Sequence, residues 1–250
     1  VGEPGGPDSE MFYDFEPNGD AKDHPATDSA RFLEIGNNVF MAFMRKDTGF
    51  ELLDKPNIDY GGGLERICAA LNGNPDLYLT PFFDNTREKL AEISGKSYEG
   101  NERNFRIILD HTRAATFLIG DGAPPSNVDA GYITRRLMRR AIRVARKLDI
   151  NESFMTKLAE IYIAEAAAYP ELEQNKAMIL DVIAKEEEQF QKTIQNGERE
   201  MQRHLEKSGS VTGRDAFYFY ETFGFPLELT EEFLKEHGEK LLQPEEFEKA

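Results

Sequence analysis

Apolar and polar positions change their spacing once along this chain. Residues 1–20 read as a Gly/Pro loop around a short strand at 11–15, and residues 31–44 as a longer strand. Phe32, Ile35, Val39, Phe40 and Phe43 of that strand supply core material. A polar turn at 46–49 suits a hairpin, residues 50–53 return, and another strand end from Asp59 leads into a helix at 64–71. After Asn72-Gly73-Asn74-Pro75 the pattern turns helical, beginning around Pro81 and running through 86–94. Phe105, Ile108, Leu109, Ala115, Phe117, Leu118 and Ile119 predict a buried helix over 101–120, ending at Gly120 or Gly122. A loop at 123–131 precedes a helix over 133–148 whose apolar half carries Ile133, Leu137, Met138, Ala141, Ile142, Val144, Ala145 and Leu148. An Ala-rich helix follows at 152–168. A long one at 172–207 has Ile179, Ile183, Phe190, Ile194, Met201 and Leu205 spaced by four and seven, and two short helices close the pattern at 212–234. The fold class this implies is α+β: an antiparallel sheet with a helix packed on it over 1–75, then a mainly α-helical domain over 76–250.

Charge sharpens this division. Net charge is −16 over 250 residues, awkward for a partner made of phosphates, but Asp and Glu set against Lys and Arg give −10 for residues 1–100, +5 for 101–150 and −11 for 151–250. The basic stretch is the polar half of the 133–148 helix: Arg135, Arg136, Arg139, Arg140, Arg143, Arg146 and Lys147, with no carboxylate among them. Seven like charges on one face repel, so the face needs a polyanion or acidic neighbours. A simply solvated basic face is the alternative. The single cysteine, Cys68, excludes an internal disulfide and a multi-cysteine zinc site, and its neighbours Ile67, Ala69 and Ala70 make it a core thiol. That usage fits a reducing cytosol. No run of about 18 apolar residues and no charged-then-apolar leader is present, so neither a membrane span nor a secretory signal is expected.

The densest chemistry lies in Asp59-Tyr60-Gly61-Gly62-Gly63-Leu64-Glu65-Arg66, where an acid, three glycines and an arginine meet at a strand-to-helix boundary. Glycines that take positive φ leave room for a base or phosphate against bare backbone, and Arg66 sits on the first helical turn. A plain glycine-rich turn, with Arg66 paired to a nearby carboxylate, is the competing reading. Asp110-His111 lacks a second ligand set and reads as a hydrogen-bonded helix feature.

Two further segments share this economy: Gly2-Glu3-Pro4-Gly5-Gly6-Pro7-Asp8-Ser9-Glu10 and Glu34-Ile35-Gly36-Asn37-Asn38-Val39-Phe40-Met41. Together with Asp59 to Arg66 they resemble, in order, the end of the aminoacylation domain of alanyl-tRNA synthetases, the last being that family's class II motif 3. The match continues through Asp110-His111 with Arg113-Ala114, Pro125-Ser126-Asn127, Gly131-Tyr132 with Arg135-Arg136 and Arg139-Arg140, and Tyr220-Glu221-Thr222-Phe223-Gly224-Phe225-Pro226-Leu227-Glu228. The resemblance implies a partial class II antiparallel sheet followed by a helical tRNA acceptor-stem recognition domain.

Roles follow from the resemblance residue by residue. Asp59 would hold the α-ammonium of L-alanine, with Val39, Asn37 and Gly61 around the substrate. Arg66, Gly61 and Gly63 would bind ATP, which comes with Mg2+, and Ser9 and Glu10 would shape the active-site edge. Asn127 would read a G·U wobble pair in the acceptor stem of tRNA(Ala), aided by an acid at Glu221 or Glu228, where relatives carry aspartate. Arg135, Arg139, Arg140 and Arg143 would track phosphates. Gly36 stands where many relatives have an aromatic residue and Gly62 where methionine is usual, and both would widen the pocket. No residue here is assigned to catalysis, and no metal or zinc site is expected. Motif 1, and motif 2 with its α-phosphate arginine, are absent from these residues, so the chain reads as an excised piece of a cytoplasmic ligase, unable to form alanyl-adenylate alone. A stand-alone tRNA-binding module without chemistry is the second hypothesis, and an unrelated phosphate-binding domain with a basic helix the third.

Overall fold

A computed structural model describes residues 1–28 and 30–249, so the last position of the 76–250 domain lies outside the described residues. The chain first builds one antiparallel sheet around a 15-residue central strand. Strands β1 (Pro4–Gly5) and β2 (Asp8–Asp14) pair with one edge of β3 (Phe32–Lys46), and β4 (Gly49–Gly62) pairs with the other. Lys46 faces Gly49 across the hairpin, whose tight turn is closed by Gly49 at φ +130°. Residues 50–53 and 59–62, read from sequence as separate pieces, are one continuous strand. Helix α1 (Leu64–Leu71) starts at the predicted residue and packs on β3.

Two core assignments in this sheet need correction. Phe40 is 40% exposed, and Phe32, Ile35, Val39 and Phe43 are only half-buried, because the sheet faces are open along β4, where Phe50, Leu52 and Ile58 also reach solvent. Cys68 is half-buried; Ala69 and Ala70 turn inward instead. The loop between β2 and β3 is tied down by Arg31, which donates from Nε and Nη2 to the two carboxylate oxygens of Asp14 at 2.7 Å each and from Nη1 to the Asp20 carbonyl at 3.0 Å. This fork holds the Asp14 carboxyl below its usual pKa range and raises the pKa of the Arg31 guanidinium.

Packing divides the chain into two units, Val1–Asn85 and Thr86–Ala250. The division falls later than the turn at 72–75 suggested, because a 3-10 helix at Leu77–Leu79 packs against α1 and the Asn74 amide donates back to Ala69.

The second unit is helical. Helix α2 (Asp84–Ser94) leads into α3 (Glu102–Gly120) and α4 (Asp129–Arg146), which share a core of Phe105, Ile108, Leu109, Met138, Ala141 and Ala145, all 0% exposed. Ile133, assigned to the apolar half, is 46% exposed because the buried stripe of α4 starts at Gly131 and Thr134 and passes to one side of it. Helix α5 (Met155–Glu165) packs on α3 and on the 33-residue α7 (Lys176–Ser208). The single helix expected over 172–207 is broken, with α6 (Pro170–Gln174) separated from α7 at Asn175. Helix α8 (Gly213–Phe223) begins at a reciprocal cap: Thr212 Oγ1 accepts from the Asp215 amide, and Asp215 Oδ2 accepts from the Thr212 amide. Helices α9 (Leu227–Glu236) and α10 (Glu246–Lys249) complete the unit. Among the described residues no helix is long and apolar enough to cross a membrane.

Candidate functional site

Side chains directly opposite one another in an antiparallel sheet share a face, and successive residues alternate between faces. Glu10, Asn37 and Gly61 therefore form one row across β2, β3 and β4, and Asp8, Val39 and Asp59 form the next row on the same face. Four residues expected around alanine, Asn37, Val39, Asp59 and Gly61, are thus brought together. Asp59 is exposed and has no ion-pair partner among the described residues. Asn37 Oδ1 is buried without a hydrogen-bond partner, and a Cβ at Gly61 would meet open space. An unpaired buried oxygen beside an empty stretch of backbone suits a polar ligand better than it suits a finished core.

Ser9 falls elsewhere. It shares its row with Asn38 and Tyr60, so it lies on the opposite face from Glu10. Gly36 and Gly62 occupy that opposite face too, paired with each other. They do not widen the face that carries Asn37, Val39 and Asp59. A Cβ on Gly36 would come 2.8 Å from Met11 Cε and 3.0 Å from the Tyr60 hydroxyl, and one on Gly62 would come 2.6 Å from that hydroxyl, so these glycines make room for Tyr60. Nor do Gly61 to Gly63 take positive φ; Gly63 is extended at φ −85°, and the glycines contribute space, not a left-handed turn. Arg66 donates from Nη1 to the carbonyl and to Oε2 of Glu34, both at 3.1 Å. The pairing is half-exposed and worth little, on the order of 0 to 1 kcal/mol, and Nε and Nη2 retain their donors. Glu34 as that partner was hidden from sequence, since nothing in a strand announces which helix residue will cross it.

The helical unit holds a groove of about 520 Å³. Asn127, Arg135, Arg139, Arg140, Arg143 and Glu228 line it, six of the seven residues expected to meet RNA. Glu221 is exposed on α8 outside this lining, while its neighbour Tyr220 lies within it. Sequence reasoning gave no RNA role to the other six lining residues, Tyr132, Arg136, Phe190, Tyr220, Gly224 and Pro226. Arg136 was legible as part of the basic face, whereas Phe190 required the packing of α4 on α7. The Asn127 loop folds back on the start of α4, with the Ser126 amide donating to the Gly131 carbonyl at 2.9 Å and Ser126 Oγ to the Val128 carbonyl at 2.8 Å. Arg135 Nη1 donates to Asn127 Oδ1.

Acidic neighbours answer most of the charge on α4. Arg139 Nε lies 2.8 Å and Arg135 Nε 3.4 Å from Glu186 Oε1, while Arg143 Nη1 is 3.5 Å from Glu228, Arg146 Nη2 2.5 Å from Glu198 and Lys147 Nζ 2.7 Å from Glu232. Burial and the nearby Glu236 push the Glu198 carboxyl up, partly opposed by Arg146. Arg136 and Arg140 are exposed and have no carboxylate partner among the described residues. Unneutralised charge in the groove is therefore concentrated on two arginines. Away from the groove, His111 Nδ1 sits 2.8 Å from Asp110 Oδ2 on a ring that is 8% exposed, with Nε2 buried and unpaired.

The sheet ends in Asp59-Tyr60-Gly61-Gly62-Gly63 ahead of α1, and the helical unit carries a basic groove. The chain is a member of the class II (A) tRNA synthetase family, whose model matches residues 1–250. It is 39% identical over 248 residues to the alanine–tRNA ligase of Treponema pallidum (strain Nichols), covering 94% of this chain and 41% of that protein. With the alanine–tRNA ligase of Listeria welshimeri it shares 41% identity over 253 residues, 95% of this chain and 29% of the relative. The Geobacillus thermodenitrificans alanine–tRNA ligase is 40% identical over 257 residues, with the same coverage. The chain thus spans less than half the length of these relatives.

Proposed function

We infer that this chain contributes to ATP-dependent attachment of alanine to tRNA(Ala), its first unit as part of the aminoacylation domain and its second as the acceptor-stem recognition domain. The observation that carries the reading is the shared sheet face of Asn37, Val39, Asp59 and Gly61, with an unpaired buried oxygen and open space beside it. Asp59 pairs with the alanine ammonium. Val39 limits the side chain, a discrimination worth about 1 to 3 kcal/mol per methylene. Arg66 offers its remaining donors to ATP phosphates, Gly61 leaves the backbone open to the nucleotide, and Gly63 makes room for the Arg66 stem that lies over it. Among the described residues no group of three or more His, Cys, Asp or Glu could hold a metal ion, so Mg2+ would come to this face on phosphate oxygens, as is usual for that ion. The α-phosphate arginine of such enzymes is not among these residues, and the chain by itself is expected to give no alanine-dependent ATP–pyrophosphate exchange; exchange above background would refute that division of the site.

In the helical unit, an RNA minor groove is wide and shallow enough for Asn127 and Glu228 to reach base edges, while Arg136 and Arg140 meet phosphates. Such an enzyme works in a reducing cytosol. The test is fluorescence anisotropy with acceptor-stem minihelices carrying G·U or G·C at the wobble position, across salt concentrations. Binding that weakens with salt, prefers G·U, and loses about tenfold of that preference in Asn127→Ala is the expected result. Equal binding of both stems by the unsubstituted chain would sink the recognition role.

A further inference from the structure

The carboxylates that answer α4 differ in burial. The side chains of Glu228, Glu232 and Glu198 are 61%, 33% and 30% exposed, whereas that of Glu186 is 5% exposed. Burying a carboxylate is costly unless it is well paired, so this one is held by what it touches. One oxygen, Oε1, accepts from Arg139 Nε at 2.8 Å and lies 3.4 Å from Arg135 Nε, a Coulombic approach in which the Arg135 Nε hydrogen makes no hydrogen bond of its own. One turn further along α7, the Phe190 ring lies 4.9 Å from the Arg139 guanidinium carbon. Arg135 in turn donates to Asn127 Oδ1. A guanidinium has donors only, so this contact commits the amide oxygen of Asn127 and leaves its two N–H donors, which have no partner among the described residues.

We propose that Glu186 is a positioning residue of the RNA groove: it anchors Arg135 and Arg139, and through Arg135 it turns Asn127 so that amide donors face the bound stem. This rests on the acceptor-stem reading above. Asn127 then seeks an acceptor, such as a pyrimidine carbonyl or purine ring nitrogen on a minor-groove edge. Simple electrostatics makes the opposite forecast, since deleting a carboxylate beside a basic groove should only strengthen attraction to RNA.

Glu186→Ala and Glu186→Gln separate the two. With G·U and G·C minihelices, Glu186→Ala is expected to lose about tenfold of the preference for G·U with undiminished salt dependence, and Glu186→Gln, which keeps an oxygen for Arg139, to recover part of it. In 1H–15N spectra of the free chain, the Asn127 side-chain amide should shift in Glu186→Ala. An unmoved Asn127 amide, an unchanged preference, or equal weakening of both stems alongside a lower Tm would each overturn the proposal. If the unsubstituted chain fails to distinguish the stems, the recognition reading fails, and the Asn127 resonance alone then decides the positioning role.

Discussion

Gly197→Ala is expected to destabilise the helical unit by about 2 kcal/mol, although glycine-to-alanine inside a helix ordinarily gains up to about 1 kcal/mol. The reason is close approach. A Cβ on Gly197, midway along α7, would lie 2.5 Å from Phe225 Cγ and 2.9 Å from Phe225 Cβ, and Phe225 is 0% exposed. A buried ring has nowhere to retreat in a close-packed interior, so overpacking outweighs helix propensity. Phe225 is flanked by Gly224 and Pro226, which line the groove, so minihelix affinity should fall together with stability. Urea unfolding of Gly197→Ala, Phe225→Leu and the double variant provides the check, with partial recovery in the double variant expected. A neutral or stabilised Gly197→Ala would show that α7 and the segment after α8 are not in contact at this point.

Stability should also depend on pH through Glu187. This buried residue of α7 accepts from the Phe154 amide at 2.9 Å and the Met155 amide at 3.3 Å, and so caps the start of α5. Those bonds and the charge of Lys157 favour the ionised form, but burial is the larger effect and pushes the carboxyl from 4.5 up to about 7. An acid whose pKa is raised by folding stabilises most when protonated. Its contribution is complete below about pH 4.5 and is lost as pH rises through about 7, and a shift of this size corresponds to roughly 3 kcal/mol. Glu187→Gln keeps an oxygen for both amides and cannot ionise. It should therefore match the unsubstituted chain near pH 4 and exceed it at pH 8 by up to about 3 kcal/mol in urea unfolding. Using the difference between the two chains cancels opposite trends, such as the lowered carboxyls of Asp14 and Glu188. If Glu187→Gln were instead weaker at pH 8, the residue would be acting as a charged cap, with hydrogen bonding outweighing burial.

Much of the architecture was legible because its signals are local. Start and stop residues bounded α1 and α3, and the spacing of Ile179, Ile183, Phe190, Ile194 and Met201 foretold the buried stripe of α7. Errors arose where a residue's surroundings come from elsewhere in the chain. Phe40 and Cys68 have apolar neighbours in sequence, yet Phe40 is exposed on the open sheet and Cys68 is only half-buried. Ser9 looked inseparable from Glu10, but a period of two sends them to opposite faces. Gly36 and Gly62 read as a widened pocket, and only the path of the Tyr60 ring reveals what fills that space.

By itself the sequence determined the family, the order of sheet and helices, and the two stretches where an acid, glycines and an arginine meet and where seven basic residues share a helix, since all three are written in motifs and periods short enough to read along the chain. Only the tertiary structure decided which face each strand residue takes, that Glu228 and not Glu221 lines the groove, and that Glu34, Glu186 and Glu187 are partners of Arg66, Arg139 and the start of α5. Such pairings join residues as much as 47 positions apart, and their energy depends on burial and distance that no local pattern encodes.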